Sequence, residues 1–246
     1  MKVLKALALS VISLGVMSFA HAATITYNLS SDFSNSANPN GTWSFTRGTF
    51  PLVHFLPGTP NAINAVLADG YWGIGSDLNN NTPEVGRVTG DGSAASGYSN
   101  SDFLAGDVIV HSTNPGSGDH VFINWTAPTN GTIDFSGSVW YAHSPVDRSN
   151  QVVVTLAGAV EGSATVNNAN SRPNAIAFSG AGLTVAENDV LAFEIYASPG
   201  QTYGSLDGIS ETIAFTPSAV PEPAEWMLVL SGLGFLLHAG SRRKHS

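Results

Sequence analysis

Hydrophobic side chains recur at every second position through much of this chain. Val121, Ile123 and Trp125 fall on one face of their run, with Asn124 on the other. Ile133, Phe135, Val139 and Tyr141 share a face, while Asp134, Ser136 and Ser138 alternate with them. Val152, Val154 and Leu156 repeat the pattern, as do Leu191, Phe193 and Ile195, and Ile213 with Phe215. A period of two places alternate side chains on opposite faces of an extended backbone, so each run predicts a strand with one buried face. Gly, Pro, Asn and Ser bound the runs, as turns require. Helical spacing is confined to one short segment, Asn61 to Ala68, after Pro60 and before Gly70. Many short strands joined by turns predict an all-β antiparallel sandwich of the jelly-roll kind. The polar stretches Asn35–Gly41, Asn79–Pro83, Thr89–Asn100 and Ser112–Asp119 predict long surface loops.

Composition narrows the function. The 246 residues include no cysteine, which excludes a disulfide scaffold and any thiolate metal site. Nine basic side chains face 18 acidic ones, a net charge of −9, so nucleic acid is not an expected partner. Between Ala23 and Ala219 the only basic residues are Arg47, Arg87, Arg148 and Arg172, and lysine is absent. That surface disfavours polyanions and is compatible with divalent cations.

Both ends read as addresses. Met1-Lys2-Val3-Leu4-Lys5 is positive, Ala6 to Phe19 is apolar, and Ala20-His21-Ala22 has the small-x-small pattern that a signal peptidase accepts. The apolar run falls short of the roughly 20 residues of a comfortable span, so residues 1–22 predict a cleaved signal helix. At the other end, Val220-Pro221-Glu222-Pro223 precedes the apolar segment Trp226 to Leu237, and Arg242-Arg243-Lys244 follows. The prolines keep Glu222 extended and readable. The apolar segment suits a short membrane helix, and the basic cluster keeps the tail on the cytoplasmic side. In order and content, residues 220–246 resemble the PEP-CTERM sorting signal of Gram-negative bacteria that make exopolysaccharide. The resemblance implies that an exosortase reads Pro221, Glu222 and Pro223. It also implies that the chain is that enzyme's substrate, anchored in the membrane only until processing and then left at the cell surface or in the extracellular matrix.

The intervening residues 23–219 show no dividing linker and read as one extracellular domain. Gly106-Asp107-Val108-Ile109-Val110-His111, then Trp125-Thr126-Ala127-Pro128, then Val185-Ala186-Glu187-Asn188-Asp189-Val190 resemble a jelly-roll module of secreted PEP-CTERM proteins. Such modules are similar to carbohydrate-binding domains. The last motif usually has Gly where this chain has Asn188, and Asn also tolerates a left-handed turn.

Catalytic patterns are absent: there is no Gly-x-Ser-x-Gly, no His-Glu-x-x-His and no phosphate loop. His54, His111, His120 and His143 match no metal spacing, so no metal ligands are assigned. Asp77 to Thr82 begins like a calcium loop, but Thr82 and Val88 stand where an EF-hand needs Gly and Glu. Structural calcium in another loop geometry stays open, and no other cofactor is expected. Asp134, Glu161, Glu194 and Glu211 are the carboxylates a glycosidase could pair at about 5–9.5 Å, although solvent-facing strand positions account for most of them. Flat rings stack on sugars, so Tyr71, Trp72 and Trp140 are the candidate glycan contacts, against plugs at the ends of the core. Trp125, in phase with Val121 and Ile123, is assigned to the core. The chain is expected to be a non-catalytic matrix or surface protein that binds polysaccharide. A purely structural or adhesive surface protein and a secreted glycan-active enzyme are the alternatives.

Overall fold

The alternating runs form strands, and every pairing between strands is antiparallel. The structure, a computed structural model, describes residues 22–55, 70–74, 82–90, 102–113, 120–143 and 146–219. In chain order the described strands are β1 Ile25–Asn28, β2 Trp43–Arg47, β3 Phe50–Pro51, β4 Val53–Phe55, β5 Tyr71–Gly73, β6 Glu84–Arg87 and β7 Val108–His111. They continue with β8 Val121–Thr126, β9 Gly131–Tyr141, β10 Ser149–Leu156, β11 Ala159–Asn167, β12 Ile176–Val185, β13 Val190–Ala197 and β14 Leu206–Pro217. Sheet A runs β12-β9-β14-β7-β6-β5-β4, and sheet B runs β11-β10-β13-β8-β2-β3. One edge of β14 is shared: β7 pairs with Leu206–Ile209 and β1 with Thr212–Phe215. From β7 to β14 the chain changes sheet at every connection except the β10–β11 hairpin, which is jelly-roll winding. Residues 23–218 form one compact unit.

The in-phase residues meet between the sheets. Val121, Ile123 and Trp125 of β8 and Leu191, Phe193 and Ile195 of β13 face Ile133, Phe135, Ile213 and Phe215 of sheet A. Trp125 lies 5.8 Å from Phe215 and 5.6 Å from Tyr27, ring centre to ring centre. Each fully buried aliphatic or Phe side chain contributes roughly 1.5–3 kcal/mol of transfer free energy.

A second, smaller core covers the outer face of sheet A. Tyr71, Val88, Phe103, Ile109, Trp140 and Leu206 pack there. Trp140 lies against Gly208, where a Cβ would fall 2.0 Å from the indole, so only glycine seats the ring. Arg172 closes this core. Its Nε donates to Asp102 at 3.0 Å, its Nη2 to Asp107 at 2.5 Å, and its guanidinium sits 4.2 Å from the centre of the Trp140 ring.

These layers correct the assignment of Tyr71, Trp72 and Trp140 as glycan contacts. Tyr71 and Trp72 lie in β5, and the three rings are 1%, 4% and 3% exposed. Trp72 Nε1 donates to the Ser34 carbonyl and Trp140 Nε1 to the Asp102 carbonyl. No ring face is left for a sugar. Trp125 is in the core, fully buried, and Asn188 takes the left-handed conformation at φ 71°. The segment Asn61–Ala68, the Asp77–Asn81 loop, Ala20, Pro221, Glu222, Pro223, Arg242, Arg243 and Lys244 lie outside the described residues. Among the described residues no helix is long and apolar enough to cross a membrane.

Candidate functional site

The side chains out of phase with the core build the outer face of sheet B. Cross-strand register aligns them in rows. Thr46, Phe122, Glu194 and Val153 are successive partners across β2, β8, β13 and β10. Ser44, Asn124, Ala192 and Thr155 form the next row, and Tyr196 pairs with Gln151. Directly opposed residues of this kind touch on one face of the sheet.

One end of this face is aromatic. His120, just before β8, stacks on Tyr196 with ring centres 3.9 Å apart and planes 8° from parallel. Its Nδ1 lies 2.5 Å from Glu194 Oε1, with the two side chains 35% and 22% exposed. When His120 is neutral its Nδ1–H donates to the carboxylate, which fixes the tautomer and the ring orientation. Phe122, half-buried, is the direct cross-strand partner of Glu194. The other flank is a hollow of about 380 Å³, lined by Asn38, Pro39, Thr42, Ser44, Thr46 and Thr126 among others. Asn38 is held by its own amide, which accepts from Phe45 N–H and donates to the Phe45 and Leu52 carbonyls. Asn124 Nδ2 donates to Thr46 Oγ1 at 3.2 Å beside the hollow. The face therefore offers fixed ring surface, polar side chains and a concavity side by side. That combination can stack on the apolar face of a pyranose and hydrogen-bond its rim.

The other candidates are dispersed. Asp134 is exposed on the outer face of sheet A, where Gly182 N–H donates to it. Glu161 is exposed on β11. Glu211 faces the interior at 1% exposure, with no hydrogen-bond partner for either carboxylate oxygen in the structure. Glu211 is thus the exception to the solvent-facing positions expected for most of the four carboxylates. His111 is buried with Nδ1–H donating to the Ser112 carbonyl at 2.7 Å, and burial pushes it down to about 4. Burial pushes His143 down to about 3. His54 packs 5.1 Å from the Trp72 ring. Among the described residues no group of three or more His, Asp and Glu side chains could hold a metal ion.

Sequence reasoning singled out His120 and Glu194 separately and missed Phe122 and Tyr196. The signal lay in the same alternation: both are large aromatics in the solvent phase of strands whose other phase fills the core.

No family model and no curated protein matches this chain. Among solved structures, the xylan-binding module CBM15 aligns with 80% of this chain and 100% of its own, at 10% identity and a TM-score of 0.34. The K3 cleaved adhesin domain of Lys-gingipain from Porphyromonas gingivalis aligns with 80% and 99%, at 9% identity and a TM-score of 0.36. A CBM36 module in complex with calcium and xylotriose covers 53% of this chain and 87% of its own, at 14% identity and a TM-score of 0.25. Scores this low transfer no ligand and no site to this chain.

Proposed function

We propose that the chain is an exported surface or exopolysaccharide-matrix protein whose sandwich binds polysaccharide, without catalysis, on the outer face of sheet B. The observation that carries the binding is the half-exposed His120–Tyr196 stack, held by Glu194 beside Phe122 and a hollow across the same sheet. The export and sorting steps rest on sequence. Residues 1–22 direct secretion, with signal peptidase cutting after Ala22. Residues 220–246 hold the protein in the inner membrane until an exosortase acts at Pro221-Glu222-Pro223, with Arg242, Arg243 and Lys244 on the cytoplasmic side. Residues 23–219 are the extracellular part.

The test is binding to a glycan array and to the host's own exopolysaccharide. Tyr196→Ala and Phe122→Ala are each expected to weaken binding at least about tenfold, or ~1.4 kcal/mol, with the circular dichroism of the fold unchanged. Binding to no glycan would leave the structural or adhesive surface protein as the better account. Release of oligosaccharides would favour the glycan-active enzyme instead. Sorting is read separately: an epitope placed after Ser246 is expected to be lost from the mature protein, and Glu222→Gln to retain it in the membrane.

A further inference from the structure

The hydrogen-bonding atoms on the outer face of sheet B are unevenly committed. Gln151 spends its Nε2 on Thr165 Oγ1 at 2.7 Å and Ser198 Oγ at 3.1 Å, so the amide group keeps only its oxygen for a ligand. Thr46 Oγ1 accepts from Asn124 Nδ2 and donates to the Gly48 carbonyl at 3.0 Å, so that hydroxyl is used in both roles. Asn124 keeps its carbonyl oxygen and one N–H. Glu194 gives Oε1 to His120 and keeps Oε2, and His120 Nε2 accepts when the ring is neutral and donates when it is protonated. Tyr196 adds a hydroxyl able to act either way. Acceptors outnumber donors, and the one full charge among them is the Glu194 carboxylate.

The partner of that carboxylate is His120, which is charged only when protonated, and no Arg or Lys on the described face balances it. Arg87 donates to the Ser30 carbonyl, Arg148 to the Gly204 carbonyl beside the Tyr203 ring, and Arg172 to Asp102 and Asp107. Arg47 ends β2 in the phase of Trp43 and Phe45, which face the core. Lysine is absent between Ala23 and Ala219. A ligand rich in acceptors, such as a uronate or sulfated glycan, would meet acceptors and a like charge. A ligand with extra donors, above all an ammonium, would find Glu194 Oε2 beside a ring pair that can stack its sugar and attract its charge.

Resting on the polysaccharide-binding reading of this face, we infer that its ligand is a glycan carrying free amines, that is, a partly or fully deacetylated hexosamine polymer. Glu194 takes the ammonium while His120, Tyr196 and Phe122 hold the pyranose rings. Glu194 thereby sets specificity and the aromatic rings supply general sugar affinity.

The test uses the full chain and three soluble probes near neutral pH: a deacetylated glucosamine polymer, its N-acetylated counterpart and a polyuronate. The deacetylated polymer is expected to bind at least about tenfold tighter than the acetylated one, with the polyuronate weakest. Glu194→Gln is expected to abolish that preference, bringing the deacetylated and acetylated polymers to within about twofold of each other. Glu187→Gln removes one equal charge from an exposed turn elsewhere and is expected to keep the preference. Two results would overturn the inference alone: acetylated or uronate polymer binding as tightly as the deacetylated one, or a preference that survives Glu194→Gln and so reflects bulk charge. Binding of none of the three, with no effect of Tyr196→Ala, would overturn the polysaccharide-binding reading with it.

Discussion

Ala157 is the one non-glycine residue besides Asn188 with a positive φ, 48°, among the described residues. It stands with Gly158, φ 83°, in the two-residue turn between β10 and β11. Two left-handed residues in a row make the hairpin turn that matches strand twist, and that turn favours Asn-Gly. A Cβ in this conformation costs about 1–2 kcal/mol. Ala157→Asn is therefore expected to raise unfolding stability by about 1 kcal/mol, read as a higher urea midpoint at unchanged slope. The turn was legible from Gly158; the left-handed alanine was not, because local preference argues against it. Trp140 teaches the same lesson at longer range. Its phase marked it as facing away from Val139 and Tyr141, and that is where it faces. What lies on that side is a second core, seated on Gly208 and closed by Arg172, and neither residue is near it in sequence. The glycan assignment failed there for want of a signal that an outer face would be covered.

At the scale of an element, β14 carries an unusual load. Asp207, Ile209, Glu211, Ile213 and Phe215 share its inner face, so two acids sit among hydrophobic neighbours at 0% and 1% exposure. Burial pushes Asp207 up to about 8, against the opposing pull of the Asn150 amide, which donates to Oδ2 at 2.8 Å. Burial alone raises Glu211 well above the usual carboxylate range. The folded state thus holds protons that the unfolded chain releases at ordinary carboxylate pKa values. The stability linked to them is complete below those ordinary values and is lost as pH rises through the folded pKa, near 8 for Asp207. Buried His111 and His143, held below the ordinary histidine value of 6.5, make stability rise with pH up to that value and offset the acids there, so the melting temperature is expected to stay roughly level to about pH 6.5 and to fall from there to about pH 9. Asp207→Asn and Glu211→Gln are expected to flatten that decline and to melt higher than the parent at the alkaline end. A parent profile flat across this window would show that neither acid is held protonated. The alternation of Ile213 and Phe215 placed the strand correctly, and its phase also put Glu211 inside. That phase alone does not predict burial of Glu211, because acids are rarely buried without a partner.

For the whole molecule, the alternation identified the sandwich but could not order it. Periodicity says which side of a strand is wet and nothing about which strand lies beside it. The pairing of β1 with β14, Ile25 opposite Phe215, joins the two ends of the compact unit 23–218 and has no local signature. Removing Ile25–Asn28 would expose the second half of one edge of β14 and strip Tyr27 from Trp125. The truncated chain is expected to lose stability and to self-associate through the bared edge, measured by sedimentation velocity over a range of concentrations. The same shared edge governs how the molecule would carry a mechanical load. A pull between the two chain ends opens β1 from β14 one hydrogen-bond pair at a time, like a zipper, because both ends leave from the same end of that ladder. A pull between Pro217 and the His120 end of sheet B draws β14 along its own axis, past β9 on one side and β1 and β7 on the other. Every bond in those ladders is then strained together. If the tail is anchored and a glycan held on the opposite sheet, as proposed, the domain would give way easily to a tug at its tail and head and resist a tug on its cargo.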